Sequence, residues 1–297
     1  MSRLFPTILV PLDGSQIAAQ SLGCATWLAS RLGARLHILS ATAQELPARE
    51  ELVRLKIPAK HWPLITLHQA PTYPAEAILE AVARYEVRLV VMTSRGETAE
   101  TAATEEPAPA KIIGSVARAI VERSAEPVLL LPPNYREALP WERALVPMSG
   151  ETEVDEALTL AVRLADALDL EVHAVHVADS GAGDESLSAR ARYADALHHE
   201  YPRQLEEFVS RALPQCAPEE CRRIVDIALC RGDIVTELRK LIERKQISVM
   251  VVGWHGRFVT GRARVLTEMI RAISNPVLLV KPELRPRLRL KVGEEIE

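Results

Sequence analysis

The chain has 297 residues, 48% of them hydrophobic and 26% charged, with a net charge of −4. That length suits two domains of about 150 residues each, in a composition ordinary for globular proteins. The slight negative charge speaks against a nucleic-acid partner. No apolar run approaches the roughly 20 residues of a spanning helix, so no membrane is expected as a partner. Met1 to Thr7 lacks the apolar core of a signal segment, and the expected location is cytoplasmic. Four cysteines are few for this length. Cys216 and Cys221 lack the two-residue spacing of a metal knuckle, so the cysteines read as reduced and structural, with no metal site.

The first strand is Thr7 to Leu12, ending at Asp13-Gly14-Ser15. A helical pattern starts at Gln16 (Ile17, Leu22, Ala25, Leu28, Leu32) and stops at Gly33, a C-cap residue. Leu36 to Leu39 is the second strand. Residues 43–60 are charged, with leucines at intervals, and read as one short helix. Leu64 to Leu67 is the third strand, and Pro74 opens a helix at a position that tolerates proline. Leu89 to Met92 is a fourth, fully apolar strand. A polar loop containing Gly96 leads to Gly114-Ser115, where a helix begins, and Val128 to Leu131 is the fifth strand. Four-residue apolar runs bounded by Gly and Pro fit strands covered on both faces.

After a Pro-rich linker the order repeats. Ala144 to Met148 aligns with the first strand around its Val-Pro pair. A helix follows over Val154 to Leu168, then a strand over Leu170 to Val177. A long amphipathic helix is predicted over Ser186 to Leu213, and a strand over Ile224 to Leu229. Asp233 is an N-cap for Ile234 to Glu243. Val249 to Val252, the loop Gly253-Trp254-His255-Gly256, a helix and Val277 to Val280 complete the unit. Pro127-Val-Leu-Leu-Leu matches Pro276-Val-Leu-Leu-Val.

Strands alternating with helices imply a parallel sheet with helices on both faces and right-handed crossovers. The expected fold class is α/β: two tandem, doubly wound, parallel five-stranded sheets of Rossmann-like, adenine-nucleotide α-hydrolase-like type. The expected boundaries are a first domain at 1–133, a linker at 134–142, a second domain at 143–282 and a tail at 283–297. Ligands of such sheets lie at the carboxyl ends of strands, where strand order reverses. The loops after strands one and four of each half end there.

These residues resemble the universal stress protein family in its tandem two-domain form. The family pattern has an Asp closing strand one. It then has Gly, two residues, Gly, nine residues and Gly-Ser or Gly-Thr around strand four and the last helix. The resemblance implies an adenine nucleotide, ATP or AMP, with or without Mg, held without strong catalysis and with no catalytic residue. The first-half residues it implies are Pro11, Leu12, Asp13, Ala41, Met92, Thr93, Gly96, Gly114, Ser115 and Val116. Glycine-bearing loops and a hydroxyl at a helix start suit phosphate oxygens. Thr93 stands in place of the first glycine, and seventeen residues instead of nine separate Gly96 from Gly114, with a Glu-rich insertion at 97–111.

The second half keeps Gly253 and Gly256, with Ser149 for the Asp and no final glycine. Thr260 and Arg262 complete its candidate set, since Arg donates bidentately to phosphate. One good nucleotide site per chain is expected, mainly in the first half. His173 and His176 read as packing or surface residues, and His198-His199 as solvated. Two other readings stand beside nucleotide binding. One is a nucleotide-free interaction scaffold in stress response, using the insertion or the basic tail Arg285 to Lys291. The other is an adenylating or ATP-hydrolysing enzyme, for which Ser149-Gly150 is a partial motif. The family resemblance further implies an internal pseudo-dimer through the last strands of the two halves, with a homodimer as a further option.

Overall fold

A computed structural model of the protein describes residues 4–42, 45–71, 73–95, 113–135, 139–148, 155–178, 218–254 and 261–281. The strands are β1 (Thr7–Leu12), β2 (Arg35–Ala41), β3 (Ile65–Ala70), β4 (Leu89–Thr93) and β5 (Val128–Leu131) in the first half. In the second they are β6 (Arg143–Pro147), β7 (Glu171–Ala178), β8 (Ile224–Arg231), β9 (Val249–Gly253) and β10 (Val277–Val280). The helices are α1 (Gln16–Leu32), α2 (Ala48–Arg54), α3 (Pro74–Arg84), α4 (Ser115–Arg123) and α5 (Asp155–Leu168). They continue with α6 (Pro218–Cys221), α7 (Ile234–Lys245) and α8 (Gly261–Ala272). A 3-10 turn covers Ala59–Leu64. The helix predicted within 186–213 lies outside the described residues, as do His198 and His199.

The local signals explain the boundaries. Ser15 caps α1, its Oγ accepting from the Ala18 N–H at 3.0 Å, and Gly33 ends the helix at φ 62°. Asp169, at φ 62°, occupies the corresponding position after α5. Asp233 caps α7 by accepting from the Thr236 N–H at 2.9 Å.

Within each half the sheet is parallel and ordered 3-2-1-4-5. The two halves join edge to edge, giving the order β3-β2-β1-β4-β5-β10-β9-β6-β7-β8. The joint is antiparallel, pairing Val277 with Leu130, Leu278 with Leu129 and Leu279 with Val128. It is the geometry a two-fold axis between the halves would make. Every residue of β5 and β10 is buried, so neither is an exposed sheet edge.

Side chains alternate between two cores that each run through the joint. Leu129, Leu131, Leu278 and Val280 face α1 and α5. Val128, Leu130, Val277 and Leu279 face α3, α4, α7 and α8. Two polar contacts reinforce the joint. The Lys281 ammonium donates to the Glu122 carbonyl at 2.7 Å, and the Asn134 amide donates to the Ser274 hydroxyl at 2.9 Å. Trp141, from the predicted linker, is buried and meets Trp27 of α1 edge to face at 5.1 Å. Among the described residues no helix is long and apolar enough to cross a membrane.

The repeat also places histidines at matching positions. β1 and β2 pair Leu9 with His37, and β6 and β7 pair Leu145 with His173. His37 is buried and its Nδ1 lies 2.9 Å from His68 Nε2, one ring donating and the other accepting. Tyr85 stacks on His68 at 3.8 Å. Burial holds the pKa of His37 down, helped by His68 and Arg35; burial and Arg84 hold His68 down. His173, near Asp226, Glu171 and Lys245, is lowered by burial first and Lys245 second. Folded values below unfolded ones mean stability is present above the unfolded pKa of about 6.5 and is lost as pH falls below it. The urea midpoint is therefore expected to fall between pH 7.5 and pH 5. His68→Gln should flatten that slope in part, with His173 carrying the remainder. An unchanged slope would remove the pair from the account.

Candidate functional site

The switch in strand order falls between β1 and β4 in the first half and between β6 and β9 in the second. At both, the strands separate early. β1 pairs with β4 only through Ile8–Leu89 and Leu9–Val90, although β1 pairs with β2 over six residues. β6 and β9 pair only through Ala144–Val249 and Leu145–Met250. The carboxyl ends thus part into a crevice in each half, where a ligand of a doubly wound sheet binds.

In the first crevice β1 delivers Asp13 to the surface. Its Oδ1 accepts from the Ser15 N–H at 2.8 Å, which shapes the turn into α1. Pro11 and Ala41 are half-buried, whereas Leu12 and Met92 are core residues of opposite sheet faces. Thr93 is buried, its hydroxyl donating to the Arg95 carbonyl at 2.7 Å. Gly114 is the N-cap of α4 and its N–H donates to the Ser94 carbonyl at 2.7 Å, strapping the helix start to the end of β4. Among the described residues no side chain caps α4, and no acidic residue stands in its first turn. Its N-terminal N–H groups and partial positive charge thus have no side-chain counterpart among the described residues. Ser115 is exposed, and Val116 packs partly into the core. Ser94 is 1% exposed and its hydroxyl has no hydrogen-bond partner among the described residues.

In the second half, Gly253 and Trp254 take the places of Thr93 and Ser94. The Trp254 N–H donates to the Val280 carbonyl at 2.7 Å as the Ser94 N–H does to Leu131 at 2.8 Å. Gly96, Gly256 and Thr260 lie outside the described residues. Arg262 is within α8, but its side chain lies outside them. His176 of β7 approaches this crevice, with Nδ1 2.7 Å from the Met148 carbonyl.

Over this geometry, the sequence profile described as "Universal stress protein family" matches residues 40–132 and 140–281, one segment in each half. The chain belongs to the universal stress protein family. Among solved structures, it is similar to a protein of Pseudomonas aeruginosa UCBPP-PA14 described as a universal stress protein. That match has 16% identity, covers 94% of each chain and has a TM-score of 0.60. It is also similar to a universal stress protein of Archaeoglobus fulgidus DSM 4304, with 15% identity, 94% of this chain and 97% of that one, and a TM-score of 0.57. A shorter universal stress protein, solved in complex with cAMP, is 24% identical and covers 42% of this chain and 95% of its own, with a TM-score of 0.33. No curated protein matches the sequence.

Four residues at the family crevice carry no motif signal. Arg54, on α2, reaches across the carboxyl ends of β1 and β2. Its Nη1 donates to the Asp13 carbonyl at 3.3 Å and its Nη2 to the Ser40 hydroxyl at 2.8 Å. It also grips Glu51 with two bonds, Nε to Oε2 at 2.7 Å and Nη2 to Oε1 at 2.6 Å. The Glu51 side chain is 0% exposed and that of Arg54 is 38% exposed. The guanidinium, more than the Ser40 hydroxyl, holds the Glu51 carboxyl below the usual carboxylate range, and the carboxylate in turn raises Arg54. Ser40 and Ser94 are single polar residues at the ends of buried strands. The one trace of Arg54 and Glu51 in the sequence is their spacing of three in a charged stretch, the spacing of an ordinary surface pair.

Proposed function

We propose that the chain binds an adenine nucleotide, ATP or AMP with or without Mg, mainly in the first-half crevice. It acts as a cytoplasmic regulatory protein of the stress response without strong catalysis. The observation that carries this reading is the end of β4. Among the described residues the buried Ser94 hydroxyl has no partner there, and it stands beside the start of α4 at Gly114 and Ser115, which no described side chain caps. Hydroxyls and N–H groups converging at a helix start suit a phosphate. Asp13, at the parting of β1 from β4, would take the adenosine end, as the family resemblance implies. The second half contributes less, because its corresponding residue is the bulky, buried Trp254.

The test is to extract the purified protein with acid, assay the supernatant for nucleotide, and titrate ATP and AMP by calorimetry. One site per chain at micromolar affinity, lost in Asp13→Ala, is the expected result. Two equal sites per chain would contradict the first-half assignment. A second reading, the nucleotide-free scaffold, is favoured by Arg54 and Glu51 lying across the β1 and β2 ends. It would take first place if ATP and AMP failed to bind at millimolar concentration.

A further inference from the structure

The first-half crevice has two ends built differently. At the β4 end, the Ser94 and Ser115 hydroxyls and the first N–H groups of α4 after Gly114 offer donors. At the β1–β2 end the donors and acceptors are already engaged by a side chain of α2. The Asp13 carbonyl and the Ser40 hydroxyl both receive Arg54, and the buried Glu51 holds the guanidinium from behind. Gly14 shows how close the approach is. It has φ +88°, and a Cβ added there would lie 3.0 Å from Arg54 Nη1. An adenosine lying between Asp13 and Ala41 has to share the space that this guanidinium crosses. Its phosphates, reaching toward α4, do not.

We propose that Arg54, anchored by Glu51, is a latch across the Asp13–Ser40 end of the first-half crevice, which the adenosine part of a nucleotide must displace. This rests on the nucleotide reading above. A latch closed most of the time lowers the apparent affinity by the fraction of molecules in which it is open. It also makes the site selective, because the inorganic phosphate chain alone meets no barrier. Arg54 is here a gating residue, and removing it strengthens binding, whereas removing a ligand contact weakens it.

The full chain, Arg54→Ala and the double variant Glu51→Gln/Arg54→Ala are titrated by calorimetry with ATP and separately with inorganic triphosphate. The double variant leaves no buried charge, so it covers the case in which Arg54→Ala fails to fold. ATP is expected to bind both variants roughly tenfold tighter, the factor for a latch open about one tenth of the time, with triphosphate unchanged. Equal ATP affinity in all three proteins would overturn the latch and leave the nucleotide site standing. Weaker ATP binding in the variants would make Arg54 a ligand contact, and would likewise overturn the latch. No ATP binding by any of them at millimolar concentration would overturn the latch and the nucleotide reading together.

Discussion

Leu130→Asp is expected to destabilise both halves at once, by at least about 4–5 kcal/mol, the range reached by burying an unpaired charge. Leu130 is 1% exposed and pairs with Met92 of its own half on one side and Val277 of the other half on the other. Its side chain lies in the core that contains Ile120 and Met250, one residue from each half. A carboxylate there has neither water nor a partner, and the leucine's own burial, worth about 1.5–3 kcal/mol, is lost as well. Against a total stability of about 5–15 kcal/mol the change is large. The coupling is the distinctive part. With Trp27, Trp62 and Trp141 replaced by Phe, Trp254 alone reports on the second half. In that background Leu130→Asp should move the Trp254 urea transition as far as it moves loss of far-UV helix signal. A Trp254 transition that kept its midpoint would show two halves folding independently, with β5–β10 a mere contact.

That joint was expected from the family resemblance and not from the residues themselves. Pro127-Val-Leu-Leu-Leu and Pro276-Val-Leu-Leu-Val carry no polar residue, which marks strands buried on both faces but does not say what pairs with their edges. The caps at Gly33 and Asp233 were legible, because each acts locally, whereas the cap at Ser15 came only with the structure. The candidate site carries a sequence signal only where it follows the family pattern, at Asp13, Gly114 and Ser115. Thr93 stands in a glycine's place, and the structure buries it against its own loop. Arg54 and Glu51 were not legible, because their positions depend on β1 and β2, more than a helix turn away in sequence. In residues 43–60 the spacing of charges says only that they share a helix face. The fully buried Glu51 is a tertiary outcome, set by α2 lying on the strand ends.

The same pair gives the second large effect. Arg54→Ala should cost about 2–3 kcal/mol at pH 7. Removing one partner of a buried pair costs about 3–5 kcal/mol, and the figure is reduced here because the Arg54 side chain is 38% exposed and solvent-screened. The loss is that of a carboxylate left buried with Ser40 and without its guanidinium. Its pH dependence follows from the sign of the shift. Arg54 holds the folded pKa of Glu51 below its ordinary value of about 4.5. The pair's contribution is therefore present above that value and is lost as pH falls through and below it. The difference between the native protein and Arg54→Ala should be largest near neutrality and shrink toward pH 3.5, where the variant's carboxyl is protonated. Glu51→Gln in the Arg54→Ala background should recover part of the loss at pH 7, since it removes the charge and keeps the shape. A cost equal at pH 7 and pH 3.5, and unrelieved by Glu51→Gln, would assign the loss to packing of the Arg54 stem. The Glu51 carboxylate would then have another source of stabilisation.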